Sequence, residues 1–125
     1  MSKPFTIVLP VPPRELSPNS RAYWRKKAKA TKMVRENTCV VARDKMRSIR
    51  GLGAPWLEAT VQLTYQFNTH RRRDTDNLLA MAKAVFDGLT DSCLILDDAG
   101  LTHLPVDVNI VAGEEQTLTV EVWET

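Results

Sequence analysis

Only two cysteines and two histidines occur in the 125 residues. Cys39 and Cys93 lie far apart with no ligand-like spacing, which speaks against a disulfide framework or a zinc site and for two reduced thiols. Nowhere do roughly 18 apolar residues run together, so no membrane span is expected. The opening Met1-Ser2-Lys3-Pro4-Phe5 lacks the apolar stretch of a secretion signal. A soluble, cytoplasmic protein is the expectation. There is no internal repeat and no low-complexity tract, and a chain of this length suits one domain over residues 1–125, able to bury a core without staples. From Arg21 to Arg50 proline and glycine are missing altogether.

Charge is plentiful but unevenly spread. The formal net charge is only +2. Yet Arg14 to Arg50 holds 12 Lys and Arg against Glu15, Glu36 and Asp44, whereas Gly51 to Thr125 holds 4 basic against 12 acidic residues. Such a split suggests one surface that attracts a polyanion and another that collects cations, as a nucleic-acid enzyme with a metal site requires. The bland alternative for the basic half is a solvated helix face.

The periodicities predict an α+β chain in the order strand, helix, strand, helix, strand, strand. Phe5 to Leu9 alternates and stops at Pro10, giving a short strand that runs into a Pro12-Pro13 loop. Pro18-Asn19-Ser20 offers a helix start, and a long helix over Arg21 to about Arg50, broken near Thr38, ends at Gly51-Leu52-Gly53. Glu58 to Phe67 alternates without interruption and is the clearest strand. A second helix, from about Asp76 to Thr90, carries Leu78, Leu79, Ala82, Val85, Phe86 and Leu89 at spacings of three and four. Leu104 to Val111 and Thr117 to Trp123 read as a hairpin. A single-domain two-layer sandwich follows, with a small mixed sheet and helices packed on it.

The residues that carry chemistry lie between Arg71 and Asp98. Arg71-Arg72-Arg73 is followed by Asp74-Thr75-Asp76-Asn77, then Lys83, Asp87 and Asp97-Asp98. Several aspartates with no Cys or His ligand pattern suit a hard divalent cation such as Mg²⁺, which prefers oxygen and keeps several waters, and the neighbouring arginines suit a phosphate. If carboxylates converge they repel unless a cation neutralises them, and such an ion activates water for phosphodiester cleavage. On one continuous helix Asp76, Lys83 and Asp87 share a stripe, with Lys83 leaning back toward Asp74 and Asp76. Each residue also has a structural alternative. Either early aspartate serves as a helix cap, Lys83 pairs with Asp87 four residues on, and Asp97-Asp98 is an ordinary turn. His70 is expected in a solvent-facing loop and His103 at the start of a strand. An aspartyl-nucleophile phosphatase would place its Asp-x-Asp directly after a buried strand, and a calcium loop would need a glycine and further oxygens where Leu78, Leu79 and Ala80 stand.

These residues resemble the RusA family of Holliday-junction resolvases, particularly the forms carried by phages and prophages. The resemblance rests on Arg73-Asp74-Thr75-Asp76-Asn77-Leu78, Lys83, Phe86-Asp87-Gly88-Leu89 and Leu96-Asp97-Asp98. An N-terminal echo adds Leu9-Pro10-Val11-Pro12-Pro13, Pro18-Asn19-Ser20-Arg21 and Trp24. It implies Mg²⁺, with Mn²⁺ as a substitute, on Asp74, Asp76 and Asp98, an essential Lys83, and a homodimer that nicks both equivalent strands of a four-way junction. Lys83 follows Asp76 by seven residues, where the best-known bacterial form has four. Phe86 matches an aromatic position implicated in junction opening, and is equally a core residue on the apolar stripe.

The expected function is therefore a Mg²⁺-dependent structure-specific endodeoxyribonuclease of recombination and repair, working in a bacterial or phage-infected cell. Arg71, Arg72, Arg73, Arg25, Lys26 and Lys29 are expected to hold the DNA backbone. The alternatives are a branched-DNA-binding accessory protein that does not cut, and a flap or fork nuclease.

Overall fold

The alternation ending at Phe67 becomes the spine of the molecule. In the computed structural model, which describes residues 3–125, strand β2 (Ala59–Phe67) buries Ala59, Val61, Leu63, Tyr65 and Phe67 and leaves the residues between them half exposed. Because strand side chains alternate with period two, one face of β2 belongs to the core. Strands β1 (Phe5–Pro10) and β5 (Thr117–Glu124) repeat the pattern. β5 pairs antiparallel with both, which sets Phe5, Val122 and Val61 in one row, Ile7, Val120 and Leu63 in the next, and Leu9, Leu118 and Tyr65 in a third.

On the other edge of β2 lie two short parallel strands, β3 (Leu101–His103) and β4 (Asp107–Ile110). Helices α1 (Trp24–Arg47), α2 (Thr75–Met81) and α3 (Lys83–Asp91) complete the α+β sandwich, with α1 packed on α3 and Ala42, Ala82, Val85, Phe86 and Leu89 joining the strand residues in one core. Among the described residues no helix is long and apolar enough to cross a membrane.

The expected hairpin between the last two strands does not form. β5 is inserted between β1 and β2, while β4 pairs with β2 alone. In that place Leu118, Val120 and Val122 are fully buried in rows with the inward residues of β1 and β2, whereas Asp107, Val108 and Asn109 of β4 are exposed and suit an edge.

The expected break in the first helix is also absent. Thr38 is helical, its side chain buried against α3 at Gly88 and its hydroxyl satisfied by donating to the Val34 carbonyl (2.8 Å). That helix begins at Trp24, later than the Pro18-Asn19-Ser20 signal, since Ser20 Oγ accepts from Ala22 N–H in the preceding turn.

The second helix, expected to be continuous, is instead two. Ala82 (φ −85°, ψ 1°) ends α2, and its N–H turns to the Leu79 carbonyl (3.1 Å). The Leu78 carbonyl accepts from the buried Tyr65 hydroxyl (2.7 Å). A side chain on β2 thus supplies a donor where the helical ladder is interrupted.

Candidate metal and nucleic-acid site

Asp74 stands in extended conformation immediately before α2 and caps it, its Oδ1 accepting from Asp76 N–H at 2.9 Å. An aspartate here also complements the positive end of the helix. The capping alternative therefore holds for Asp74. Asp76 occupies the first turn and is exposed. In the later pair, Asp97 plays the same capping part for the 3-10 turn Asp98–Gly100, accepting from Ala99 N–H at 3.2 Å.

Lys83 opens α3, directly after the interruption at Ala82. Its ammonium lies 3.8 Å from Asp87 Oδ1 and 3.5 Å from Asp98 Oδ2. The first is the helical pair expected at a separation of four. The second is a tertiary link, joining the start of α3 to the turn that follows it. Phe86 is buried, and the His103 ring at the end of β3 sits against it at 4.9 Å between centroids. His70 lies exposed in the loop, as expected.

The three arginines divide. Arg73 is committed to its own loop, its guanidinium donating to the Thr69 and Arg71 carbonyls (3.0 and 3.2 Å) and lying 3.7 Å over the Phe67 ring. Burial, and then repulsion from Arg71, draw its pKa below the usual arginine value. Arg71 and Arg72 are exposed. On α1, Arg25, Lys26 and Lys29 are exposed as well, with Arg25 lying 5.2 Å over Trp24.

A hard divalent ion asks for oxygen donors, and Asp74, Asp76 and Asp98 supply them at accessible positions. In kind the donor set fits. In arrangement it is open, for among the described residues no three His, Cys, Asp or Glu side chains stand together as a metal-holding group. Mg²⁺ keeps several waters and binds through as few as one or two carboxylates, so its demand on the protein is small.

A protein of Xylella fastidiosa (strain Temecula1 / ATCC 700964), itself uncharacterised, is 32% identical over 117 residues, covering 92% of this chain and 74% of its own length. The chain belongs to that protein's family. No family model matches it.

Two residues important to the site's framework escaped the sequence reading. Tyr65 looked like any buried strand aromatic, but its hydroxyl meets the carbonyl just before the α2–α3 break. Burial pushes the phenol well above its ordinary pKa and keeps it a donor. Gly88, read above as part of a family signature, has a packing reason in the fold: a Cβ there would come within 2.6 Å of Thr38 Cβ and 2.7 Å of the Arg35 carbonyl.

Proposed function

We propose that this protein is a Mg²⁺-dependent endodeoxyribonuclease that cuts Holliday junctions or related branched DNA. The observation that carries it is Lys83 linked to Asp98 across two elements, on a chain whose Asp-x-Asp cap follows an arginine-rich loop. The resemblance to RusA resolvases supports the same assignment, and includes Mn²⁺ as a substitute ion. When bound to Asp74, Asp76 and Asp98, the divalent ion supplies an activated water and polarises the scissile phosphate. Lys83, presenting its ammonium beside Asp98, stabilises charge developing on the phosphate or on the leaving oxygen. Arg71 and Arg72, with Arg25, Lys26 and Lys29, hold flanking phosphates; Arg73 shapes the loop that presents them. A homodimer would bring two such sites to the two equivalent strands.

The deciding experiment is cleavage of a labelled four-way junction beside a matched linear duplex, with Mg²⁺ and with EDTA. Metal-dependent paired nicks confined to the junction are expected. One observation favours the rival, a junction-binding protein that does not cut: among the described residues the carboxylates form no metal-holding group. Tight junction binding with no cut in Mg²⁺ or Mn²⁺ would decide for that rival.

A further inference from the structure

A cleft of about 550 Å³ is lined mainly by two segments distant in sequence, one around Arg14 and the other carrying Arg71, Arg72 and Asp74, with Gln116 from a third. The 3-10 turn Arg14–Leu16 is held in place by packing on both α1 and α2. Arg14, Arg71 and Arg72 are exposed, so the rim is strongly basic, with Asp74 the one carboxylate in the lining. The floor has a different character. Phe67, Leu78 and Met81 are nearly buried, and the Arg73 guanidinium lies over the Phe67 ring, 3.7 Å from its centroid, and is pinned by its bonds to Thr69. A flat guanidinium fixed on an aromatic ring is a platform on which a nucleobase stacks.

We propose that this cleft binds one unpaired DNA strand, its phosphates on Arg14, Arg71 and Arg72 and a base over the Arg73–Phe67 pair. The proposal deepens the nuclease assignment, since a strand so held is delivered to Asp74, but the binding itself requires no cutting. A single strand fits better than a duplex on two grounds. The volume is that of a small-ligand cleft, and the bases of a duplex are stacked on one another and cannot reach a platform set behind a basic rim. Inorganic phosphate or an acidic peptide would use the arginines and leave the apolar floor idle. Arg14 is thereby assigned to the strand-binding surface, which its isolated position in the sequence gave no reason to expect.

The test is anisotropy of a short fluorescent thymidine oligonucleotide, titrated in EDTA beside a duplex of equal length. The wild-type protein should prefer the single strand. Arg14→Ala and Arg72→Ala should each weaken it by about five- to tenfold and flatten the slope of log affinity against log salt by about 0.7, the share of one phosphate. Lys45→Ala removes the same charge from an exposed position near the far end of α1 and outside the cleft, and should change affinity by less than about twofold. Duplex binding as tight as single-strand binding, or equal losses in Arg14→Ala and Lys45→Ala, would overturn the proposal in favour of diffuse attraction. Failure of the two assignments is separable: strand binding with these losses but no junction cleavage in Mg²⁺ removes the nuclease and keeps the cleft. Cleavage with unaltered binding in Arg14→Ala does the reverse.

Discussion

The cap that Asp74 provides and the metal role proposed for it can be pulled apart by chemistry. Its Oδ1 caps α2, and asparagine caps a helix about as well as aspartate, so Asp74→Asn should leave stability within about 0.5 kcal/mol of wild type while abolishing cleavage. Asp74→Ala should lose cleavage and in addition about 1 kcal/mol, read by urea denaturation. Equal cleavage by the asparagine variant would take Asp74 out of the site. Lys83 gives the complementary case. Its side chain is 73% exposed, and exposed pairs of this kind contribute little to stability. Lys83→Met should therefore melt close to wild type while cutting at least about 100-fold more slowly, as removal of a charge-stabilising donor does elsewhere. A large loss of stability with unchanged cutting would make the lysine a structural tie only.

At the scale of elements, the α1–α3 contact holds the site's framework together, and Gly88 and Asp91 govern it. With Thr38 Cβ and the Arg35 carbonyl so close to Gly88, Gly88→Ala must push two helices apart, and a cost of about 1–3 kcal/mol is expected in denaturant unfolding. At the end of α3, Arg35 donates to both carboxylate oxygens of Asp91, and Arg43 donates to the Asp91 backbone carbonyl at 3.0 Å. The Arg35 hydrogen bonds hold the Asp91 carboxyl below its ordinary value of 3.8. Between the folded and unfolded values the unfolded chain binds more protons, so stability rises with pH there. The contribution is complete above 3.8 and is lost as pH falls through the folded value. Asp91→Asn should therefore melt lower than wild type at neutral pH, and the gap should close in acid. A gap that stayed constant down to the acid transition would show that the charge is not what matters at this position.

Across the whole molecule the uneven charge is expressed as surface. The basic residues of α1 and of the 69–73 loop are exposed at Arg25, Lys26, Lys29, Arg71 and Arg72, so under the proposed function binding of branched DNA should release counterions and weaken steeply with salt. With about six phosphates contacted, affinity should fall on the order of 10³-fold between 50 and 200 mM salt. A filter-binding or anisotropy series would read this directly. Near-constant affinity over that range would mean that the basic surface is only a solvated helix face.

The sequence by itself determined which residues are buried in the strands and where charge collects. Alternation of period two and the long run without proline or glycine are local properties, and they led to the β2 face, to α1 and to the α+β class. It also named Asp74 and Lys83, and anticipated that one early aspartate caps. Three things were settled only by tertiary packing. β5 took the place between β1 and β2, pairing antiparallel with both, a choice of partners that its own periodicity cannot make. The second helix broke at Ala82 with Tyr65, from another element, donating to the Leu78 carbonyl beside the break, and Lys83 at the start of α3 came to lie 3.5 Å from Asp98. Arg14 came to share a cleft with Arg71 and Arg72 because a 3-10 turn is pinned between α1 and α2. Each is a relation between residues far apart in the chain, and such relations arise only when the whole core is packed.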